Sequence, residues 1–480
     1  MADKYDLIVI GSGCGGAASA ALGAYHGYRT LLLEKNDFVG GRCATRDIRG
    51  FQMDHGHLFA RCDKGPHGEV LRIVKSEDLI PPFVYTDDLE AIHLFHGKMF
   101  HRKEYHFDTF PMIKIFLVMR NLFDFRTLDF IEGARLIRRI RRLSDEDLRA
   151  LDKVDVATYV SRHCNNAFIN DVFGALGAVM FGALPEEASV GELIRSLGMG
   201  KSPYKMSTGY PVNGEGVSAI PKSFMRAAER HGARVRMKTP AKGILVEQGR
   251  VRGVEIEGET IYADRVISNA GVRETALKLV GEQHLEPSFV SYLNRLKYSY
   301  GGISLKYALD RPIIDFIRGN KVPSDFIRHM SDAMEGRVPE EISIMTVCTS
   351  NLDPSLAPEG KQILVAISPG PAVEPGKVRW KPWVESMKRQ IAELVPGIND
   401  HTLFCSVSTP DVIAHESGRF FGDAVGVAQT IDQIGDKTPP AVSPILGLYN
   451  AGADVGCEGV ATEMATQSAI DLFKNHLEPS

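Results

Sequence analysis

An apolar strand, Asp6-Leu-Ile-Val-Ile10, runs into Gly11-Ser12-Gly13-Cys14-Gly15-Gly16, then an Ala-rich segment, a second apolar run over Tyr28–Leu33, and Glu34-Lys35. Gly-x-Gly-x-x-Gly between a strand and a helix admits few folds, because each glycine meets a steric demand of a βαβ unit that holds a dinucleotide. Gly11 makes the tight turn, Gly13 lets the backbone approach a pyrophosphate, and Gly16 lets the helix lie close on the strand. The helix N-terminus offers unpaired N–H groups and a positive dipole end to phosphates. Glu34 stands where a carboxylate accepts from a ribose 2′-hydroxyl and repels a 2′-phosphate, so NADP is not expected here.

The stretch after Glu34 adds a second motif suited to phosphate. Val39-Gly40-Gly41-Arg42 pairs backbone freedom with a forked cation suited to a pyrophosphate, and Gly50-Phe-Gln-Met-Asp54-His55-Gly56-His57 comes next. Nucleotide-binding sequence then returns twice. From Gly209 the chain predicts a helix over about Ala219–His231, a short strand after Gly232, and a hairpin of Thr239–Glu247 and Arg250–Ile256 about Gln248-Gly249. A strand from Tyr262 then ends at Asn269-Ala270. Near the C-terminus, Gly447-Leu-Tyr-Asn-Ala-Gly452-Ala453-Asp454 is a strand and turn, and Gly456-Cys-Glu-Gly459-Val460-Ala461-Thr462 begins a helix running to about Lys474. A helix N-terminus there can stabilise negative charge on a bound group.

Composition narrows the class without choosing the reaction. A chain of 480 residues with 44% hydrophobic content can bury a sizeable core, and a net charge of −4 gives no general attraction to nucleic acid. Seven cysteines without a C-x-x-C pair indicate neither a zinc site nor a disulfide framework, so no metal is expected. The first apolar run is the nucleotide-binding strand itself rather than a secretory segment, and a cytoplasmic location is expected.

On its three nucleotide-binding segments, and on Thr409-Pro-Asp411 leading into Gly422, the chain resembles the phytoene desaturase and carotenoid isomerase branch of the flavin amine oxidase superfamily. The resemblance implies FAD and an α/β fold. A Rossmann-like FAD-binding domain with a parallel sheet (1–75, 205–290 and 425–480) would be interleaved with a substrate domain of mixed sheet and helices (76–204 and 291–424). It also implies the contacts. These are Gly11, Ser12, Gly13, Cys14, Gly15, Gly16, Glu34 and Lys35; Gly41, Arg42, His55, Gly56 and His57; Ala241 beside the adenine; Asn269; and Gly452, Ala453, Asp454, Val460 and Ala461. One departure matters. Relatives carry Pro-Gly-Gly-Gly or Pro-Gly-Ala-Gly before the last helix, whereas this chain has Gly456-Cys457-Glu458-Gly459.

The implied activity is oxidation, reduction or isomerisation of carbon–carbon bonds in an apolar, isoprenoid-like substrate, with electrons passing to a small acceptor such as a quinone or oxygen. Such chemistry needs an acid or base beside the ring, and Glu458, His55 and His57 are the titratable candidates. Two further readings stay open: a flavin amine oxidase, and a non-catalytic prenyl or lipid binder like the Rab GDP-dissociation inhibitors. In the substrate domain, Tyr300–Leu309, Glu341–Val347 and Gln362–Ser368 are strand-like. Phe110–Met119 reads as an apolar helix too short to span a bilayer. Phe130–Leu143, with Arg135, Arg138, Arg139, Arg141 and Arg142, reads as a basic amphipathic helix that can rest on the inner membrane surface.

Overall fold

A computed structural model describes residues 4–56, 60–61, 65–85, 91–95, 98–101, 127–201, 208–323, 325–455 and 459–477. The architecture is α/β. Strand β1, Tyr5–Ile10, lies in a seven-stranded sheet, flanked in parallel by β2, Thr30–Leu33, and by the strand Glu259–Ser268. Arg234–Arg236 adds in parallel beyond β2, and Leu448–Asn450 pairs in parallel with Glu259–Ser268. Strands covered on both faces read as continuous apolar runs, and Leu7, Ile8, Val9, Leu31, Leu32 and Leu33 are accordingly buried. The hairpin Gly243–Glu247 and Arg250–Ile256 extends the same sheet antiparallel. Its turn residues, Gln248 and Gly249, have φ of 51° and 73°, which matches the twist of a two-residue hairpin.

Helix α1, Cys14–Tyr25, is buried from Cys14 to Ala24 and lies between the sheet and the helices Ala219–Arg230 and Thr462–Leu472. Only small side chains permit this. A Cβ added at Gly16 would stand 2.0 Å from the Gly11 carbonyl oxygen, and one at Gly15 would stand 2.8 Å from that of Ala465.

A second seven-stranded sheet is built around Gly301–Leu309, buried at every residue and antiparallel to Gln362–Gly370 and Thr402–Ser408. It continues through Ile344–Val347 and Arg318–Val322 to Ala91–Phe95 and Lys98–His101, with one parallel pair. Trp383, Met387 and Ile391 of the helix Lys381–Leu394 fill its core. A third layer is helical, with Leu136, Ile140, Phe173, Phe181, Leu193 and Ile194 packed together from segments between 127 and 196.

Several boundaries differ from expectation, among them strands that start at Gly243, Glu259 and Ile344 rather than Thr239, Tyr262 and Glu341. β2 starts at Thr30 rather than Tyr28, because the Tyr28 amide donates back to Gly23 and its hydroxyl donates to the Leu477 carbonyl. The basic helix runs Thr127–Ile140, leaving Arg141–Leu143 in the turn beyond it. The last helix begins only at Thr462, the end of the run expected to open it, after Ala461 at φ 52°. The expected helix over Phe110–Met119 lies outside the described residues. Among those residues no helix is long and apolar enough to cross a membrane.

Candidate functional site

The parallel strands deliver their C-terminal ends to one edge of the sheet, where open α/β folds place ligands. Gly11, at φ 91°, donates its amide to the Leu33 carbonyl (2.8 Å), so the chain turns sharply off β1. Gly13 caps α1 without a side-chain bond, and the first turn holds no acid, which leaves its N–H groups and positive end for an anion. Asn269 ties this loop to the far segment. Its amide donates to Ile10 (2.8 Å), its Nδ2 donates to the Ala451 carbonyl (2.6 Å), and its Oδ1 lies 2.5 Å from where a Gly13 Cβ would be. The Gly452 amide donates to Ser468 Oγ (2.8 Å). Gly13 therefore makes room for Asn269 in addition to any pyrophosphate, and Gly15, whose sequence context gives no packing role, seats the last helix.

Glu34 closes the other side. It is buried, and its Oε2 accepts from the Ser12 amide (2.9 Å) and hydroxyl (2.6 Å) while Oε1 accepts from the Asn36 amide (2.8 Å). The Thr239 amide donates to the Glu34 carbonyl and that of Lys238 to Asn36, which brings the segment carrying half-buried Ala241 alongside the carboxylate.

Arg42 enters a buried cluster of charge. Its Nη1 donates to the carbonyl (2.9 Å) and Oδ2 (2.7 Å) of Asp423. Arg419 donates from Nε to Asp423 Oδ1 (2.8 Å) and from Nη2 to both Asp454 oxygens (2.9 and 3.1 Å). Asp454 also accepts from the amides of Val272 (3.1 Å) and Val427 (3.2 Å). Glu274 accepts from the Phe420 amide (2.6 Å), and its Oε2 is buried without a hydrogen-bond partner. The Tyr298 ring lies beneath the Arg419 guanidinium, 5.5 Å away.

The environment sorts the charges. Burial pushes the Asp454 pKa up, but Arg419, together with Arg42 and the Val272 amide, outweighs it and holds the carboxyl below its ordinary value. Burial raises Glu274, which Arg419 only partly offsets. Burial also lowers Arg42, whereas for Arg419 the neighbouring acids overcome burial and raise it. Asp454 and Arg42 were legible from sequence. Arg419, Asp423 and Glu274 were not, because no local motif marks them and only the fold brings them to Asp454.

The other candidates fall into separate places. Lys35 turns away, its Nζ donating to the His415 carbonyl, and so ties the helix Pro410–Ser417 down. Cys14 is buried in the core between α1 and its neighbours. His55 is buried with Nε2 3.3 Å from Glu416, and burial, with Lys306 and Arg46 nearby, lowers its pKa to about 3; the ring is neutral. Gly56 comes next at an open position, with no atom near an added Cβ. Gly41 is likewise open, at φ 57°. Ala453 is buried beside Asp454, and Val460 and Ala461 are half-buried ahead of the last helix. His57 and Glu458 lie outside the described residues. Among the described residues no cluster of His, Cys, Asp and Glu could hold a metal ion.

Glycine-cleared backbone, an uncapped helix N-terminus, a buried carboxylate and a forked cation make an edge suited to an anionic, hydroxyl-bearing ligand. The family described as flavin containing amine oxidoreductase matches residues 15–471. The chain is 27% identical to a zeta-carotene-forming phytoene desaturase of Myxococcus xanthus over 90% of its own length and 86% of the relative's. It is 24% identical to a 4,4'-diapolycopen-4-al dehydrogenase of Metabacillus indicus, over 94% and 92% respectively. Its fold superposes on that of an oxidoreductase from Methanosarcina mazei with a TM-score of 0.71 at 18% identity, covering 98% of this chain and 100% of the other. With a family match from the first turn of α1 to the last helix, the chain belongs to the flavin containing amine oxidoreductases and is a flavin-dependent oxidoreductase.

Proposed function

We propose that the cofactor is FAD and that the enzyme desaturates, saturates or isomerises carbon–carbon bonds of an apolar, isoprenoid-like substrate. The carrying observation is that Gly11–Gly13, Glu34, Arg42, Asn269 and Gly452–Asp454, from segments far apart in sequence, converge at one edge of the parallel sheet. Glu34 at the ribose and Arg42 near the phosphates suit the full dinucleotide rather than a mononucleotide. Bound FAD would accept or return two electrons as hydride at its ring. The chain's part is to hold Glu34, Arg42 and the uncapped α1 amides on the cofactor and to keep Asp454 ionised through Arg419. The substrate class is supported by the carotenoid enzymes to which the chain is similar, and a quinone or oxygen would take the electrons.

We assign residues 1–75, 205–290 and 425–480 to FAD and 76–204 and 291–424 to the substrate. A cytoplasmic enzyme resting on the inner membrane surface is part of this proposal. Leu128, 67% exposed, and Ile131 stand on the helix that bears Arg135, Arg138 and Arg139, while Val172 and Val179 are exposed on Ala167–Phe181. Salt-sensitive sedimentation with anionic vesicles tests it, and no binding at low salt removes it.

The function is tested by the visible spectrum of the purified protein, mass identification of the released chromophore, and anaerobic titration with apolar polyenes and with amines. Released FAD that is bleached by a polyene supports the proposal. Bleaching by amines alone makes it an amine oxidase, and a colourless protein that takes up no FAD overturns the enzyme reading in favour of a lipid binder.

A further inference from the structure

Among the described residues of the turn before the last helix, no side chain can fix its path. Gly459, Val460 and Ala461 carry no polar side chain, yet Gly459 sits at φ 111° and Ala461 at φ 52°, ψ −112°, a conformation that a residue with a Cβ adopts only when its surroundings impose it. Both polar groups of Gly459 are gripped by buried side chains from distant segments. Its amide donates to Glu192 Oε1 (3.3 Å), and its carbonyl accepts from Gln429 Nε2 (2.9 Å).

Each gripping residue is itself held. Glu192, on the helix Val190–Ser196, accepts from Ser196 Oγ on Oε1 (3.0 Å) and from Arg195 Nε and Nη2 on Oε2 (3.2 and 2.7 Å). Arg195 Nη2 reaches on to Asp152 (2.6 Å). Gln429 is strapped to the helical layer by its own backbone, its amide donating to the Phe181 carbonyl and its carbonyl accepting from Ser189, and its Nε2 also reaches Met464 Sδ (3.3 Å) on the last helix.

We propose that Glu192 and Gln429 are positioning residues that hold the Gly459 peptide so that the turn through Ala461, and the N-terminus of Thr462–Leu472 behind it, meet the flavin ring in one fixed geometry. The proposal rests on the FAD reading above. It makes the helical layer between 127 and 201 a determinant of the flavin's affinity and spectrum, although none of that layer belongs to the nucleotide-binding segments.

The test compares Glu192→Leu, Gln429→Met, Glu192→Gln and Asp152→Asn in the FAD-loaded protein, by thermal unfolding, FAD affinity, visible spectrum and reduction potential. Glu192→Leu removes the acceptor and Gln429→Met the donor. Each is expected to weaken FAD binding by about tenfold, the scale of one buried hydrogen bond, and to displace the visible band and the potential. Glu192→Gln keeps an amide oxygen for the Gly459 amide and is expected to retain the wild-type spectrum. Asp152→Asn disturbs the Arg195 cluster without touching Gly459 and is expected to do the same. Should Glu192→Leu not fold, Gln429→Met carries the test alone. The proposal fails if folded Gln429→Met keeps wild-type affinity and spectrum, or if Asp152→Asn shifts the spectrum as much as Glu192→Leu. Wild-type protein that binds no FAD is a different outcome, since it overturns the FAD reading and the proposal with it.

Discussion

Arg419 decides more of this site than any residue the motifs mark. It is buried, and it bridges Asp423 and Asp454, with Glu274 close by. Replacing one partner of a buried ion cluster strands the rest, so Arg419→Met is expected to lower stability by about 3–5 kcal/mol in urea unfolding. Arg419→Lys should not restore it, because an ammonium cannot serve both carboxylates as the planar fork does. Asp54 gives a second test. It is fully buried, and burial raises its pKa to about 6 despite bonds from Thr45, Tyr210 and the Val217 amide. The folded state therefore keeps a proton that the unfolded chain loses near pH 4. Its contribution is fully present below that pH and is lost as pH rises through about 6, by up to about 3 kcal/mol. The stability difference between wild type and Asp54→Asn should change over this window and stay flat above it. Asp54 was visible in sequence only as a neighbour of His55, since nothing local says that Tyr210 and Val217 will close over it.

At the scale of the element, the helices and strands that a nucleotide fold demands were legible because their constraints are local. Gly11, Gly13 and Gly16 between an apolar strand and an Ala-rich run leave little else for residues 5–34 to form. Gly16→Ala would place a methyl group 2.0 Å from the Gly11 carbonyl. It is expected to cost about 3 kcal/mol or more by forcing α1 off the strand, and to abolish flavin retention on gel filtration. Gly27 is the contrast. It lies at φ 84° with open space around it, so Gly27→Ala should cost only about 1–2 kcal/mol, from the left-handed backbone, and leave flavin content unchanged. The boundaries that shifted did so for tertiary reasons. Tyr28 is drawn into the turn by Gly23 and Leu477, and the last helix starts late because Gly459 is held from outside it.

For the molecule as a whole, segments far apart in sequence meet at one edge of the parallel sheet, and a flavin bound there should act as a clamp. Flavin at 100 times its dissociation constant is expected to raise unfolding free energy by about 2.7 kcal/mol, seen as a higher melting temperature that returns to the apoprotein value when flavin is stripped. The sequence by itself determined the nucleotide fold, the carboxylate Glu34 at the end of β2, the Gly40-Gly41-Arg42 turn and the strand and turn at Gly452–Asp454, because glycine sterics, helix capping and strand periodicity act over a few residues. Only the tertiary structure decided that Lys35 ties down Pro410–Ser417, that His55 is buried and neutral, that Arg419 anchors Asp454, and that Glu192 and Gln429 hold Gly459. Those partners lie far apart along the chain. Which buried charge or amide finds which neighbour is settled by the desolvation cost of leaving it alone, a cost that exists only once the layers have closed.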